Sequence, residues 1–351
     1  MKGIKQALCV AVIAATCGMS AQAYAKDSII VLTAPEDHGW TGSVATFAKE
    51  KAKEITAQGK YDVEVITCDN AGYQINQIED IIAMGNDDLA GIVIQPIDDT
   101  VQSGIQQLVD AEIPYVAFDR IIDGVAKSAI SNVKGDNEGI GAGVAAYYTS
   151  LGMKPGDKIY VYEGDTSSVT TLRNQGFIEY LKGNLAFEGK KIDPKLQWSD
   201  EDLKKAVTYS GSMNWSRSST KTSFESLLGD ASNVDIKWFY AQDDELGMGI
   251  LEALRGGGID DATKAKFLEN HPAISGCGGI EDFFSVLRGD NYQDIAKQLS
   301  GIVSVTYSPS MIQTAISDMV DYLDGKSVQQ DHVIECHNVT SENVSQFPSF
   351  N

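Results

Sequence analysis

The sequence has few basic residues for its length. It carries 28 Lys and Arg against 49 Asp and Glu, a formal net charge of -21 at pH 7 over 351 residues. A protein that binds nucleic acid needs a basic surface to neutralise phosphates. The charge balance therefore argues against a nucleic-acid partner and fits a protein that binds neutral small molecules.

Cysteine and histidine are also scarce, at five and four residues. Cys9 and Cys17 fall in an N-terminal targeting segment, which leaves Cys68, Cys277 and Cys336, each in or beside an apolar run. An odd number in such runs predicts buried free thiols rather than a disulfide framework. No Cys/His spacing suits zinc and no alternating Asp/Asn loop suits calcium, so we expect no metal and no cofactor.

Beyond the N-terminus the sequence lacks any apolar run close to the roughly 20 residues that span a bilayer. The N-terminus itself has the pattern of a secretory signal, with two lysines in its first five residues, an apolar core over 7–15, and Ala23-Tyr24-Ala25 as a small-x-small cleavage site. We expect a signal peptide of residues 1–25 and a periplasmic mature protein. Cleavage after Ala23 and lipidation at Cys17 are open alternatives.

A catalytic set is missing as well. The sequence has no nucleophile elbow, no Walker loop and no paired His/carboxylate motif. The glycine run at 256–258 follows a helical segment, where glycine typically ends a helix. We therefore expect that the protein is not an enzyme.

Residues 89–120 contain the clearest structural pattern. Two short apolar runs, Ile92 to Ile94 and Tyr115 to Phe118, flank a segment with apolar residues at helical spacing. Strands buried on both faces and joined by a helix are typical of a parallel sheet. The same alternation recurs in the second half, which predicts two doubly wound α/β lobes. We also expect a charged loop over 183–202 and a single last strand over 332–339.

Polar residues follow both of these apolar runs. Gln95 comes after the first, and Asp119 and Arg120 come after the second. Ligands of open parallel sheets bind beyond the carboxyl ends of the strands. Arg offers a rigid fork of donors and Asp offers acceptors, so the pair suits the adjacent hydroxyls of a polyhydroxylated ligand. A surface ion pair or a helix cap is the alternative explanation of the same pattern.

QPIDD at 95–99, followed by FDR at 118–120, resembles the periplasmic sugar-binding proteins of the ribose/galactose type, which are the substrate-binding subunits of ABC importers. The resemblance covers nearly the whole mature chain. It implies a type I periplasmic binding protein, with two lobes joined by a three-segment hinge that closes over a ligand. The implied lobes are residues 26–129 plus 308–330 and residues 130–307 plus 331–351.

The resemblance also implies the partners. A monosaccharide would be the ligand, an ABC permease in the inner membrane would receive it, and the protein would act as a monomer. Two alternatives stay open. One is a receptor of the same fold that signals to a chemoreceptor or sensor kinase. The other is a binder of a polyol, a nucleoside or a modified signal molecule.

Site residues in both lobes follow from the resemblance. Trp40, in a loop with Asp37 and His38, matches the family's stacking aromatic, and the alternative is a core aromatic at a helix start. Arg173 lies in an R-x-x-G-F motif whose arginine meets the sugar in the family, and the alternative is a solvated arginine. Trp215 matches a second stacking aromatic of some pyranose-binding members, and the alternative is a packed core indole.

Three further positions bear on the ligand. Asp243 stands where the family most often has Asn, and because a carboxylate only accepts, it would select a hydrogen-bond donor on the ligand. Gly278 stands where the family has an Asp, and Tyr307 stands where it has Gln or Asn. Both departures remove expected partners of sugar hydroxyls, so they bear on the identity of the ligand more than on the fold. We include Tyr307 among the expected ligand contacts.

Overall fold

The computed structural model describes residues 27–36, 39–83 and 89–350. The signal peptide expected over 1–25 lies outside this range, as do Asp37 and His38. The strands, in chain order, are β1 Asp27–Thr33, β2 Tyr61–Thr67, β3 Leu89–Ile94, β4 Tyr115–Phe118, β5 Ser131–Gly135, β6 Ile159–Glu163, β7 Val207–Ser212, β8 Trp238–Ala241, β9 Ala273–Gly276, β10 Gly301–Thr306, β11 Asp331–Ile334 and β12 His337–Val339.

Helices alternate with these strands. They are α1 Gly39–Gln58, α2 Ala71–Ala83, α3 Gln102–Asp110, α4 Asp123–Ala126, α5 Asn137–Ser150, α6 Ser168–Leu181, α7 Asp200–Ala206, α8 Arg217–Leu228, α9 Asp244–Arg255, α10 Asp261–Glu269, α11 Glu281–Arg288, α12 Gln293–Ala296 and α13 Ile312–Leu323. Of the described residues, none belongs to a helix that is both long enough and apolar enough to cross a bilayer.

The strands form two six-stranded sheets, in the orders β11-β5-β4-β3-β1-β2 and β12-β10-β9-β8-β6-β7. Neighbouring strands are parallel except for β10 and β12, which are antiparallel. The alternation in β3 shows how helices cover both faces of a sheet. Ile92 and Ile94 belong to the cluster that includes α2 and α3, whereas Val93 belongs to the cluster that includes α1 and α13. The predicted pair of α/β lobes is confirmed.

The chain passes between the sheets at three places, after Gly135, after Thr306 and after Ile334. The expected lobe boundaries at 129/130 and 330/331 assign β5 and β11 to the second lobe, but both strands pair within the first sheet. The continuous last strand expected over 332–339 is likewise wrong, because it divides into β11 and β12, one in each sheet. The intervening Glu335 and Cys336 give no turn signal that would mark the division.

Residues 183–202 are less irregular than expected. The segment leads into α7, whose start is fixed by a capping box in which Ser199 accepts from the Asp202 backbone N–H and the Asp202 carboxylate accepts from the Ser199 backbone N–H. The strand β7 follows at once and forms an edge of the second sheet. The S-x-x-D spacing is a sequence signal for this helix start.

The three cysteines of the described chain are buried free thiols, as the sequence predicts. Burial raises the pKa of Cys68 to about 11 and that of Cys277 to about 12. Neither thiol is therefore ionised at neutral pH.

Helices α5 and α6 approach each other closely through glycines. A Cβ on Gly176 would lie 1.9 Å from the carbonyl oxygen of Glu138, and a Cβ on Gly141 would lie 2.1 Å from that of Arg173. These contacts fix the position of α6, which carries Arg173.

Gly176→Ala should therefore destabilise the protein. The added methyl meets backbone, which cannot rotate away, so we expect a loss of about 1–3 kcal/mol in the free energy of unfolding. Gly257→Ala is the matched control, because nothing lies within 4 Å of a Cβ there. Urea denaturation of both variants checks this, and equal stabilities would contradict it.

Candidate functional site

A cavity lies between the two lobes, beyond the carboxyl ends of the strands. It holds about 410 Å³ of space not filled by protein atoms, part of it open to solvent. Both lobes and the chain crossing at Tyr307 supply its lining, which consists of Trp40, Thr41, Asp119, Arg120, Val169, Arg173, Trp215, Asp243, Cys277, Gly278 and Tyr307. Most of the residues predicted from sequence are therefore brought together here.

Trp40 forms an aromatic wall of the first lobe. It sits in the first turn of α1, stacked on Phe118 with ring centroids 6.4 Å apart and an interplanar angle of 5°. Tyr307 meets it edge-on at 5.7 Å, and its indole N–H reaches the Tyr307 carbonyl oxygen at 3.5 Å. The ring is thus held in one orientation at the cavity edge.

Asp119 is fixed by the backbone and by Gln95. Its φ of +65° is unusual for a non-glycine residue, a kind of strain that concentrates at functional sites. Its Oδ2 accepts from Gln95 Nε2 at 3.0 Å, while Gln95 Oε1 accepts from the Ala34 N–H at 3.0 Å. Gln95 is buried and does not line the cavity, so it positions Asp119 from behind instead of facing a ligand.

Arg120 is buried and has an unused donor. Its Nη1 reaches the Pro96 carbonyl oxygen at 3.4 Å, and its Nη2 lies 3.6 Å from Asp165 Oδ2 in the second lobe. Its Nε is buried without a hydrogen-bond partner among the described residues. An unpaired buried donor is costly, so this atom favours a ligand that accepts from it.

Arg173 crosses the floor of the cavity and is 5% exposed, so it is not a solvated surface arginine. Its Nε donates to Asn137 Oδ1 at 3.0 Å, and Nη1 donates to the Gln242 carbonyl oxygen. The guanidinium carbon lies 5.4 Å from the ring centre of Trp215, in cation–π range. Trp215 is half-buried rather than packed in the core, so the two tryptophans line the cavity from opposite lobes.

The Tyr307 hydroxyl joins the charged groups of both lobes. It accepts from Arg173 Nη2 at 3.5 Å and can donate to Asp119 Oδ1 at 3.4 Å or to Asn137 Oδ1 at 3.5 Å. Its ring occupies space that Gly135 leaves free, since a Cβ there would lie 2.2 Å from it. The hydroxyl thus bonds to protein groups as well as facing the cavity, and its expected contact with the ligand stays a prediction.

Asp243 caps the N-terminus of α9 and accepts from the Glu245 N–H at 2.8 Å. Burial, reinforced by the neighbouring charge of Asp244, raises its pKa to about 8. The raised pKa favours the protonated carboxyl group, which can donate a hydrogen bond as well as accept one. That Asp243 selects a donor on the ligand stays a prediction.

Asp244 is fully buried and accepts more hydrogen bonds than Asp243 does. It accepts from the backbone N–H groups of Gly279 and Ile280, at 2.6 and 3.0 Å, and from the Ser304 hydroxyl at 2.8 Å. Burial raises its pKa to about 7, against the effect of these hydrogen bonds. Its role is to hold the loop after β9 against the start of α9.

That loop contains Gly278, at the position where an Asp was expected. Its φ of +126° favours glycine, so a side chain would strain the backbone there. A Cβ would lie 3.7 Å from both Asp243 Oδ2 and Trp40 Cδ1, which is ordinary van der Waals contact, so the positive φ disfavours a side chain more than lack of room does. The glycine at this position therefore agrees with the positive φ that the loop adopts here.

Several residues of the site were not predicted from the sequence. Val169 and Thr41 line the cavity, and Asn137 and Asp165 hold its arginines. The sequence does carry a signal for Asn137, because it is the second residue after β5, as Arg120 is the second residue after β4. The signal depends on placing β5 in the first sheet.

The architecture and cavity define a two-lobed ligand-binding protein. The chain matches the periplasmic binding protein domain over residues 29–327 and belongs to that family. This confirms the resemblance and the fold class expected from the sequence. The family consists of binding proteins, and the absence of catalytic activity stays a prediction.

Individual relatives are distant but nearly full-length. The chain is 24% identical to the fructose import binding protein of Bifidobacterium longum, covering 92% of this chain and 88% of that one. It is 23% identical to the ribose import binding protein of Escherichia coli, covering 82% and 94%. A Caulobacter myo-inositol binding protein bound to myo-inositol superposes with a TM-score of 0.70 at 18% identity, covering 91% and 95%. A galactofuranose binding protein gives a TM-score of 0.68 at 19% identity, covering 91% and 96%.

The pair Asp243 and Asp244 should make stability depend on pH. Both pKa values are raised above the unfolded value of 3.8, so the folded state holds more protons between about pH 4 and 8 and the free energy of unfolding falls as pH rises through that window. Asp243→Asn removes one of the two groups. We expect it to gain about 1–3 kcal/mol relative to the parent protein between pH 6 and 8, measured by urea denaturation.

The control for this experiment is Asp230→Asn. Asp230 is an exposed helix cap whose pKa is lowered by hydrogen bonds from Ser232, so it is ionised throughout the window. Its profile should run parallel to that of the parent. A parallel profile for Asp243→Asn as well would show that Asp243 is ionised in the folded protein.

Proposed function

We propose that this protein is the extracytoplasmic solute-binding subunit of an ABC importer. Its cavity binds one small polyhydroxylated ligand, a monosaccharide, and the lobes close on it. The observation that carries this proposal is the lining of the cavity. Aromatic rings and hydrogen-bonding charged groups reach it from both lobes, among them Trp40, Asp119 and Arg120 from the first and Arg173 and Trp215 from the second.

The chemistry of the lining suits such a ligand. The face of an indole packs against the C–H face of a sugar ring, while Asp and Arg exchange hydrogen bonds with the hydroxyls. The charges of the site already have protein partners. Arg120 faces Asp165, and Asp119 is held by Gln95 and Tyr307. This pairing favours a neutral ligand over an ionic one.

The relatives support import of a sugar or a close analogue. Two relatives by sequence are a fructose and a ribose import binding protein, and two similar solved structures are a myo-inositol binding protein bound to myo-inositol and a galactofuranose binding protein. Import therefore has support that signalling to a chemoreceptor or sensor kinase lacks. Cyclic polyols belong in the same ligand class, because they present the same vicinal hydroxyls.

Further parts of the proposal concern the whole protein. Residues 1–25 act as a signal peptide, the mature chain works in the periplasm as a monomer, and an inner-membrane permease receives the ligand. The ligand contacts are those of the cavity lining, with Gln95 acting through Asp119. Asp37 and His38 are retained as contacts on the strength of the sequence resemblance alone.

A thermal-shift screen tests the ligand class. The mature protein is unfolded and refolded to remove carried ligand, then tested against hexoses, pentoses, polyols and nucleosides. A ligand at a hundred times its dissociation constant adds about 2.7 kcal/mol, which we expect to raise the melting temperature by roughly 5 °C. One sugar or polyol should give this rise. A rise with nucleosides alone would contradict the sugar assignment and leave the fold untouched.

Two arginine variants locate the ligand in the cavity. Arg120→Ala removes charge-assisted hydrogen bonds worth about 1.5–3 kcal/mol, so affinity should fall by roughly 10- to 100-fold in calorimetric titration. Arg288→Ala is the control, since this partly exposed arginine pairs with Glu281 and Asp290 away from the cavity. It should bind as the parent protein does. Unchanged affinity in Arg120→Ala would place the ligand elsewhere.

A further inference from the structure

Asp165 lies in the loop between β6 and α6, at the mouth of the cleft and outside the cavity lining. One of its carboxylate oxygens is fixed by its own loop. Oδ1 accepts from the Ser167 N–H at 2.9 Å and from the Ser167 hydroxyl, with the Thr170 hydroxyl at 3.4 Å. These bonds leave the carboxylate little freedom to rotate.

The other oxygen reaches two side chains of the cavity, one in each lobe. Oδ2 accepts from Trp215 Nε1 at 2.9 Å and lies 3.6 Å from Arg120 Nη2. Burial alone would raise the pKa of Asp165, but Arg120 and the hydrogen bonds from Ser167 and Trp215 outweigh it, and the pKa is lowered. The carboxylate is therefore ionised wherever the protein is folded near neutral pH.

Trp215 needs such a support. Both Asn214 and Trp215 have positive φ, at +51° and +55°, a conformation that costs non-glycine residues about 1 kcal/mol or more. The ring lies over Gly164, where a Cβ would approach it to 2.0 Å. The hydrogen bond from its indole N–H to Asp165 is the one polar contact of the Trp215 side chain among the described hydrogen bonds, and it fixes the rotation of the ring.

Arg120 depends on the same carboxylate. Its Nη1 and Nη2 are directed to Pro96 and Asp165, and its Nε is the group left for a ligand. Since Asp165 belongs to the opposite lobe, this arrangement exists only when the cleft is closed. A single carboxylate thus sets the orientation of an aromatic wall and of a charged donor.

We propose that Asp165 is a positioning residue for ligand binding, which holds Trp215 at the cavity and locks Arg120 across the closed cleft. The inference rests on the proposed function for its effect on affinity. Its effect on Trp215 does not need a ligand. Asp165 touches no atom of the ligand in this account, so its contribution comes from pre-organisation and from a slower opening of the closed state.

The first test needs no ligand. The emission of Trp215 is obtained by subtracting the spectrum of a Trp215→Phe variant from that of the same protein with Trp215 intact. The subtraction is made for the parent protein, for Asp165→Ala and for Asp165→Asn. Asp165→Ala should shift the emission to longer wavelength and increase quenching by iodide, because the ring is released to water. Asp165→Asn has one acceptor oxygen in place of two, one of which serves Ser167 and the other Trp215, so its emission should lie between those of the parent and of Asp165→Ala. An unchanged emission in Asp165→Ala would overturn the positioning of Trp215.

The second test uses the ligand found in the screen. Asp165→Ala should weaken affinity by about 10-fold or more, chiefly through faster dissociation in stopped-flow kinetics. Asp165→Asn should give an intermediate loss, because it keeps one acceptor oxygen of the two and loses the charge opposite Arg120. The matched control is Asp193→Ala, which removes a carboxylate that caps its own loop through the Lys195 N–H and has no cross-cleft contact.

The outcomes separate the two proposals. If the parent protein binds no sugar or polyol, the proposed function fails, and the fluorescence test still decides the role of Asp165 at Trp215. If the parent binds and Asp165→Ala loses no more affinity than Asp193→Ala, the proposed function stands and this inference is overturned. A lower melting temperature with unchanged affinity in Asp165→Ala would likewise overturn it, because replacing a residue with a purely structural role would have that result.

Discussion

The hydroxyl of Tyr307 is the contact on which the rest of the site depends. It lies between a carboxylate of the first lobe, Asp119, and a guanidinium of the second, Arg173, at the point where the chain crosses between the lobes. Burying two charges is costly unless hydrogen bonds satisfy them. The hydroxyl, together with Asn137 and Gln95, supplies those bonds before any ligand arrives. The charged groups of the cavity are therefore fixed in advance, which lowers the cost of ordering them on binding.

Closure of the cleft follows from how the contacts are divided. Neither lobe alone encloses a ligand, because Trp40 and Arg120 belong to one and Trp215 and Arg173 to the other. A ligand that touches both has higher affinity for the closed state, and this difference is what shifts the population towards it. Two further contacts between the lobes stabilise the closed arrangement. Arg120 meets Asp165 across the cleft, and Phe47 of α1 packs edge-on against Phe350 at 6.3 Å.

Much of the fold was predictable, because parallel strands buried on both faces have a clear sequence pattern. The run Ile92 to Ile94 and the polar residues after β4 located both the sheet and its functional edge. The lobe boundaries were not predictable in the same way. Nothing local distinguishes β11 from β12 in the stretch 332–339, and only pairing with β5 or with β10 decides the sheet to which each belongs.

The same distinction applies to the site: some of its residues could be predicted from the local sequence, and others depend on contacts made only in the folded protein. Asp119 and Arg120 were predicted from their positions at a strand end, and Asp243 was predicted from the family resemblance. Gln95 was placed in the cavity because it also ends a strand, but its side chain turns back to Asp119. Asp165 was missed because its importance comes from partners 45 and 50 residues away along the chain, Arg120 and Trp215. The protonation of Asp243 depends on burial, which a sequence does not state.

The most direct test of this account is a crystal structure of the protein with the ligand selected by the thermal-shift screen. We expect density for one molecule in the interlobe cavity. It should pack against Trp40, accept a hydrogen bond from Arg120 Nε and contact Arg173, so that both lobes touch it at once. Density bound to one lobe only, or at a site away from the Tyr307 network, would contradict it.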